Sequence, residues 1–308
     1  MELGRFAPSP SGRMHLGNVF TALLAWLSAK RTGGEILLRI EDLDPARSRE
    51  EYANAIMADF QWLGLTWDRQ SENQSRRNAM YAEAIDCLWR KGLVYPCYCS
   101  RDQLHAASAP HGSDGRVIYA GTCRYLTEAQ RRNQHKTPCL RVCVPDQEIS
   151  FSDGLQGLQS MNLKREWGDF IIRRADGVTA YQLAVVTDDG ESGVTQVVRG
   201  RDLLASTPAQ IWLYNLLKLK VPQFYHVPML LAPDGRRLSK RNRDIDLGML
   251  KLYWRPEKII GLLASACGLI DRWEPVAARD LVSVFSWDLV CKEDIIMDPK
   301  KMLFDSDL

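Results

Sequence analysis

The chain has 308 residues, of which 45% are hydrophobic and 25% are charged. These values are typical of a globular protein long enough to bury a core without disulfide bonds. The net charge of +2 neither indicates nor excludes a nucleic-acid partner, because such binding depends on a local basic patch. There is no apolar run of about 18 residues and no signal peptide pattern, so we expect no membrane association and a reducing, cytoplasmic setting.

The N-terminal segment predicts a strand, a helix and a second strand. Residues 4–7 are short and apolar, and residues 8–12 contain two prolines and a glycine, which are typical of a loop. Apolar residues recur at helical spacing over 19–30, and Gly33-Gly34 ends that helix before a strand at 35–40. A unit of this size predicts a parallel pair of strands joined by a right-handed crossover.

The rest of the chain predicts an insert, a second α/β half and a helical end. Residues 96–167 hold five of the eight cysteines and show little helical periodicity. The predicted helices are 49–63, 77–91, 207–219, 258–267 and 277–285. The predicted strands are 170–173 and 181–186, paired around a turn at 175–177, and 194–198. The predicted parts are 1–95 and 168–246 for the two α/β halves, 96–167 for the insert and 247–308 for the helical end.

The loop at 10–18, which leads into the first helix, is a candidate phosphate site. A helix N-terminus attracts phosphate, and nucleotides bind beyond the carboxyl ends of parallel strands. His15 can donate a hydrogen bond to a phosphate oxygen, and Gly17 lets a flat base lie close to the backbone. The alternative is a tight turn that carries a surface histidine.

Charged side chains at the ends of the two predicted strands form a candidate amino-acid site. Arg5, Ala7 and Ser9 alternate along the first strand and its exit, and Glu41 ends the next strand. The arginine can hold a carboxylate in bidentate fashion, and the glutamate can hold an ammonium group. The alternative is a surface ion pair between Arg5 and Glu41, which contributes little stability.

A second basic loop spans 234–241 and includes Arg237 and Lys240. A glycine-led loop of this kind can neutralise the charge that develops on a phosphate under attack. The alternative is a solvated basic loop without a ligand.

Together these segments resemble the signature pair of the class I aminoacyl-tRNA synthetases. Residues 8–18 resemble the HIGH element, and residues 237–241 resemble the KMSKS element. Within that class, four further segments are similar to the glutamyl branch, so that the resemblance covers most of the chain: 5–10, 39–44, 181–189 and 198–203.

The resemblance implies a Rossmann-like, doubly wound parallel sheet (α/β) with a zinc-bearing insert. It also implies an enzyme that forms glutamyl-adenylate from L-glutamate and ATP with Mg²⁺. The implied glutamate-binding residues are Arg5, Ser9, Glu41, Tyr181 and Arg199. The implied ATP-binding residues are His15, Gly17, Asn18 and Lys240, with His15 and Lys240 as the catalytic pair. Asn18 and Arg237 depart from the family pattern, but each keeps a hydrogen-bond donor.

A cysteine cluster in the insert is a candidate zinc site. Cys97, Cys99 and Cys123 can supply three thiolates, and His105, His111 or Tyr119 can complete the set. Buried thiols without a metal are the alternative, because Cys-x-Cys spacing is less diagnostic than paired Cys-x-x-Cys motifs. Some members of the glutamyl branch carry the same spacing, and by that resemblance Tyr119 is the fourth ligand of a structural Zn²⁺ site.

The layout of the C-terminal end favours one group within this branch. Full-length glutamyl-tRNA synthetases continue into an anticodon-binding domain, whereas this chain ends shortly after 297–302. The layout resembles that of family members that join glutamate to the queuosine base of tRNA(Asp) instead of the terminal adenosine. The alternatives are a short glutamyl-tRNA synthetase that charges the tRNA 3′ end and a non-catalytic binding paralogue. We expect a monomer.

Overall fold

The computed structural model describes residues 1–100, 118–236, 238 and 246–298. The strands in these parts are β1 (Leu3–Phe6), β2 (Glu35–Leu38), β3 (Arg69–Gln70), β4 (Val94–Cys97), β5 (Cys139–Val142), β6 (Glu148–Asp153), β7 (Gly157–Asn162), β8 (Phe170–Arg173), β9 (Gln196–Gly200), β10 (Gln223–Val227), β11 (Leu230–Leu231) and β12 (Ile295–Ile296). The α-helices are α1 (Leu16–Arg31), α2 (Glu50–Trp62), α3 (Asn78–Arg90), α4 (Glu128–Arg132), α5 (Tyr181–Glu191), α6 (Thr207–Leu217), α7 (Leu247–Leu250) and α8 (Pro256–Ala266).

Parallel strands form the centre of the molecule. β1, β2 and β3 pair in parallel, with Leu3 opposite Glu35, which confirms the predicted unit at the N-terminus. β9 and β10 form a second parallel pair. The Thr195 N–H donates to the Leu3 carbonyl at 2.9 Å, which brings β9 beside β1. The protein is therefore a mixed α/β fold whose parallel strands converge at one edge.

The insert region contributes antiparallel strands. β5 lies between β4 and β8, and β6 and β7 form a hairpin. The predicted strand at 170–173 is confirmed, but its partner is β5. The predicted strand at 181–186 is wrong, because those residues form the first half of helix α5.

Several other predicted elements are confirmed with small shifts in their ends. The helices predicted at 49–63, 77–91, 207–219 and 258–267 correspond to α2, α3, α6 and α8. Ser206 is the N-cap of α6, and Pro208 lies in its first turn. The helix predicted at 277–285 is wrong in extent, because only a single 3-10 turn forms at Ala278–Leu281.

The largest hydrophobic core surrounds α1. Leu23, Leu24 and Leu27 are fully buried, and the same core extends to Ile259 and Leu263 of α8. A helix buried on most sides is fixed rigidly by its neighbours, so that the loop at its N-terminus is held in place. No helix in the described parts of the chain is long and apolar enough to cross a bilayer.

Candidate active site

The ends of β1 and β2 are tied together by backbone hydrogen bonds. The N–H of Arg39 donates to the Phe6 carbonyl at 2.9 Å, and the N–H of Glu41 donates to the Pro8 carbonyl at 3.0 Å. These bonds continue the parallel pairing beyond the strands. They place Ser9 and Glu41 at the same edge of the sheet, as the sequence predicts.

The N-terminus of α1 points into the same region. His15 is the N-cap residue, and its N–H donates to Asn18 Oδ1 at 3.2 Å. Asn18 therefore stabilises the first turn of the helix, which gives a structural use to this departure from the family pattern. A Cβ on Gly17 would lie 3.0 Å from two atoms of the His15 ring, so the glycine leaves room for the ring beside the helix start.

The catalytic residue predicted in the second basic loop, Lys240, lies outside the described residues, as does Arg237. Residues on either side of this loop are described. The N–H of Leu238 donates to the Leu230 carbonyl at 3.3 Å, and the N–H of Leu247 donates to the Met14 carbonyl at 2.9 Å. The first described end of the loop thus adjoins β11, and the second adjoins the residues that precede α1.

One cavity of about 660 Å³ brings the described candidates together. It lies at the edge where β1 and β9 end, beside the start of α1. The candidates that line it are Arg5, Ser9, His15, Gly17, Asn18, Glu41, Tyr181 and Arg199. Tyr181 is 37% exposed at the start of α5 and can contact a ligand in this cavity.

A buried ion network supports one wall of the cavity. Arg39, which is fully buried, donates to Asp189 Oδ1 at 2.6 Å and to Glu41 Oε1 at 3.0 Å. Arg5 donates to Asp189 Oδ2 at 3.3 Å and to the Val198 carbonyl at 3.2 Å. The alternative of a surface ion pair between Arg5 and Glu41 is therefore wrong, because each pairs with a different buried partner. Two of the five N–H donors of Arg5 are used inside the protein, which leaves three for a ligand.

Within this network, the pKa values of Asp189 and Glu41 are shifted in opposite directions. Burial opposes the ionisation of Asp189, but Arg39 and Arg5 outweigh it and hold the pKa of this carboxyl below its usual value. Burial raises the pKa of Glu41, and the attraction of Arg39 offsets only part of this effect. The negative charge of Asp189 is thus strongly stabilised by the two arginines, whereas the negative charge of Glu41 is less strongly stabilised.

Arg199 forms a second wall and is only 4% exposed. Its Nε donates to His226 Nε2 at 2.9 Å, and its Nη2 donates to Thr207 Oγ1 at 2.8 Å. Among the described residues, its Nη1 has no hydrogen-bond partner. A buried guanidinium nitrogen without a partner is costly, so a ligand that accepts a hydrogen bond here would satisfy it.

The cysteine cluster lies in the insert, and the residues that line this cavity come from other parts of the chain. The sulfur atoms of Cys97, Cys99 and Cys123 lie within 4.8 Å of one another. Tyr119 Oη lies 3.4 Å from Cys97 Sγ and 3.6 Å from Cys99 Sγ. Hydrogen bonds from the side chains of Cys139 and Tyr119 help to lower the pKa of the Cys97 thiol to about 4. His105 and His111, the other candidates for a fourth ligand, lie outside the described residues.

Sequence reasoning missed the residues that hold this site from behind. Arg39, Asp189 and His226 were given no role, although Arg39 and Asp189 stand in segments that resemble the glutamyl branch. Asp188 was also missed; it accepts a hydrogen bond from Gln74 at 2.6 Å and forms an ion pair with Arg77 at 2.7 Å. A charged residue inside an apolar run was the available signal, because such a residue needs a buried partner.

Comparison with known proteins agrees with this geometry. The family model described as class I tRNA synthetases (E and Q), catalytic domain, matches residues 3–254. The glutamyl-Q tRNA(Asp) synthetase of Symbiobacterium thermophilum is 50% identical, and the alignment covers 96% of this chain and 95% of that protein. The protein of the same name from Nitratidesulfovibrio vulgaris is 47% identical, with 93% and 92% covered.

A solved structure shows the same fold. The glutamate tRNA ligase of Elizabethkingia meningosepticum, crystallised in complex with its amino acid, superposes with a TM-score of 0.82 at 27% identity. The match covers 97% of this chain and 68% of that one. The chain therefore belongs to the class I tRNA synthetases of the glutamyl and glutaminyl type, within the glutamyl-Q tRNA(Asp) synthetase family.

Proposed function

We propose that this protein activates L-glutamate with ATP and transfers it to the queuosine base of tRNA(Asp). The names of the similar curated proteins support this reaction. The observation that carries the proposal is the position of Arg199, which lines the cavity and whose buried Nη1 lacks a partner among the described residues. A carboxylate of glutamate supplies the acceptor that this nitrogen needs.

In this proposal the amino acid lies between the two arginine walls. Arg199 and Arg5 attract the two carboxylates, and Glu41 accepts hydrogen bonds from the ammonium group. Ser9 and Tyr181 line the same cavity and supply hydroxyl groups. The buried partners of Arg5 and Glu41 keep these groups in place before the substrate arrives, which reduces the ordering cost of binding.

ATP is placed against the N-terminus of α1. His15, Gly17 and Asn18 line the cavity there, where free backbone N–H groups and the helix dipole favour phosphate. Lys240 is proposed to stabilise charge on the phosphates from the second basic loop. Mg²⁺ bound to ATP supplies further neutralisation of the phosphate charge.

The chemistry proceeds in two transfers. An oxygen of the glutamate α-carboxylate attacks the α-phosphorus of ATP, and the bond from that phosphorus to pyrophosphate breaks. A hydroxyl of the queuosine cyclopentene ring then attacks the activated carbonyl carbon, and AMP leaves. Both nucleophiles belong to substrates, so the protein binds, orients and stabilises charge without a covalent intermediate.

We also propose a structural Zn²⁺ site in the insert, with Cys97, Cys99, Tyr119 and Cys123 as ligands. Tetrahedral zinc at bond lengths of about 2.3 Å needs sulfur atoms about 3.8 Å apart. The separation of 3.6 Å between Cys99 Sγ and Cys123 Sγ fits that requirement. Such a closed site would hold the insert in a fixed shape and would take no part in the reaction.

The proposed division of labour follows the predicted parts. Residues 1–95 and 168–246 would form the catalytic unit, residues 96–167 would contact the tRNA, and residues 247–308 would form a helical part that adjoins the nucleic acid. None of the eight cysteines forms a disulfide bond, which fits a cytoplasmic location.

Transfer of labelled glutamate to two tRNA pools tests the proposal. One pool comes from normal cells, and the other comes from cells that cannot make queuosine. We expect label on the first pool only, and the label should survive removal of the terminal adenosine. Equal labelling of both pools, lost with that adenosine, would instead establish the alternative of a short glutamyl-tRNA synthetase.

Lys240→Ala separates an enzyme from a binding paralogue. An enzyme should lose adenylate formation with this change, whereas glutamate binding should persist because Lys240 is assigned to ATP. Unchanged ATP–pyrophosphate exchange would contradict the assigned role. Lys136→Ala, in an exposed part of the insert, provides the control for removing one lysine.

A further inference from the structure

Arg199 of β9, His226 of β10 and Asp153 of β6 form a buried chain of hydrogen-bonded side chains that holds the Arg199 guanidinium. His226 of β10 accepts from Arg199 Nε through its Nε2 atom, and its Nδ1 lies 2.5 Å from Asp153 Oδ2. The side chains of His226 and Asp153 are fully buried. Burial is the largest effect on His226 and lowers its pKa, which favours the neutral ring. Because Nε2 accepts a hydrogen bond, the single proton lies on Nδ1 and is donated to Asp153.

Asp153 comes from the end of the β6–β7 hairpin, outside the strands that form the cavity. Its Oδ1 accepts from the backbone N–H groups of Leu155 at 3.0 Å, Gln156 at 2.8 Å and His226 at 3.2 Å. The adjacent Gly154 donates its N–H to the Phe224 carbonyl at 2.8 Å. These contacts dock the hairpin end against β10 and hold Asp153 in one orientation.

From this geometry we infer that Asp153 and His226 are positioning residues for Arg199 and thereby set the affinity of the pocket for glutamate. Asp153 selects the tautomer of His226, and that tautomer presents an acceptor to Arg199. With Nε and Nη2 held in this way, Nη1 is the one guanidinium nitrogen left for a ligand, since it has no partner among the described residues. The inference rests on the proposed function, because it treats Arg199 as the residue that binds the substrate carboxylate.

Asp153→Asn is a nearly isosteric test of the tautomer. The side-chain oxygen must remain at the Oδ1 position, because three backbone donors meet it there. The amide nitrogen then occupies the Oδ2 position and donates towards His226 Nδ1. The ring must place its proton on Nε2, and that proton opposes the N–H of Arg199.

Two substitutions of His226 form a matched pair. In His226→Gln, the amide oxygen can replace Nε2 as the acceptor for Arg199. In His226→Asn, the shorter side chain can still donate to Asp153 but no longer reaches Arg199. His135→Asn, at an exposed position, is the control for a histidine-to-asparagine change.

The assay is glutamate-dependent ATP–pyrophosphate exchange without tRNA, together with calorimetric titration of glutamate into the full-length protein. We expect Asp153→Asn and His226→Asn to raise the KM and Kd for glutamate about tenfold, from the loss of one charge-assisted hydrogen bond. The KM for ATP should stay within about twofold of the wild-type value, because the substitutions weaken glutamate binding without altering the ATP contacts. His226→Gln should stay close to the wild-type protein in both constants.

Three results would overturn the inference. These are a wild-type glutamate Kd in His226→Asn, equal losses in His226→Asn and His226→Gln, and a parallel rise in the KM for ATP. Thermal unfolding of each variant verifies that it is folded. If His226→Asn does not fold, Thr207→Val tests the positioning of Arg199 instead, because it removes the acceptor of Arg199 Nη2. Glutamate binding by the wild-type protein without exchange would refute the proposed function alone, and absence of binding would refute both.

Discussion

Asp189 is the centre of the buried ion network, and its substitution by asparagine should be severely destabilising. Asp189 accepts from Arg39 at 2.6 Å and from Arg5 at 3.3 Å, and all three side chains are nearly or fully buried. An asparagine retains one acceptor, but its amide nitrogen would face a guanidinium group as donor against donor. The buried positive charges of Arg39 and Arg5 would then lose their main compensation.

The size of the effect follows from burial. Removal of one partner from a buried ion pair costs about 3–5 kcal/mol, because the other charge remains in the interior without compensation. A typical domain has a free energy of unfolding of about 5–15 kcal/mol, so this loss is a large fraction of the total. Urea unfolding, followed by circular dichroism, should show Asp189→Asn losing about 3–5 kcal/mol. The KM for glutamate should also rise, because Arg5 is no longer held.

A surface pair provides the control. Arg174 Nη2 and Asp176 Oδ2 also lie 2.6 Å apart, but their side chains are 45% and 50% exposed. Asp176→Asn should therefore cost only about 0.2–1 kcal/mol. Equal losses in Asp176→Asn and Asp189→Asn would refute the argument, because they would show that distance and not burial determines the cost.

Three further predictions concern the helix start, the metal and pH. Gly17→Ala should leave the free energy of unfolding unchanged or raise it by up to about 1 kcal/mol through helix propensity. It should nevertheless raise the KM for ATP, because the new Cβ displaces the His15 ring. An unchanged KM for ATP would argue against contact between ATP and this turn. The purified protein should contain about one zinc per chain by elemental analysis, and Cys123→Ser should lose it with a lower melting temperature; a metal-free, equally stable wild type would exclude the site. The pKa of His226 is lower in the folded than in the unfolded chain, because burial and Arg199 lower it more than Asp153 and Asp202 raise it. The neutral His226 therefore contributes its full stabilisation above pH about 6.5, and this stabilisation is lost as the pH falls towards the folded-state pKa. The free energy of unfolding should thus fall less between pH about 7 and about 5 in His226→Gln than in the wild-type protein; equal slopes would contradict this.

The parts of the fold that are local in sequence could be predicted from it. β1, α1 and β2 follow one another within 38 residues. Each is marked by a clear pattern: a short apolar run, helical periodicity over 19–30, and a glycine pair at the stop. The loop before α1 could also be predicted, because the residues that indicate a phosphate site are the same residues that lead into the helix.

Helix α5 could not be predicted, because its sequence favours the wrong structure locally. The segment 181–186 contains aromatic and β-branched residues that are typical of strands. In the fold, every residue from Leu183 to Asp189 is buried, so the helix lacks the polar face that would reveal a period of 3.6 residues. Contacts with neighbouring elements outweigh local propensity at this position.

The wrong assignment of α5 and the missed ion network have a common cause. Asp188 and Asp189 are consecutive and follow the predicted strand at 181–186. If that strand continued through them, they would point to opposite faces, so one of them would face away from the arginines. In a helix their side chains are about 100° apart, and both can meet the arginines, with Arg39 contacting Asp189 at 2.6 Å and Asp188 at 3.7 Å. Arg39 and Asp189 are 150 residues apart in the chain, and no sequence pattern links residues at that separation. The two carboxylates therefore become recognisable as the support of the pocket only once the segment that carries them is seen to be helical.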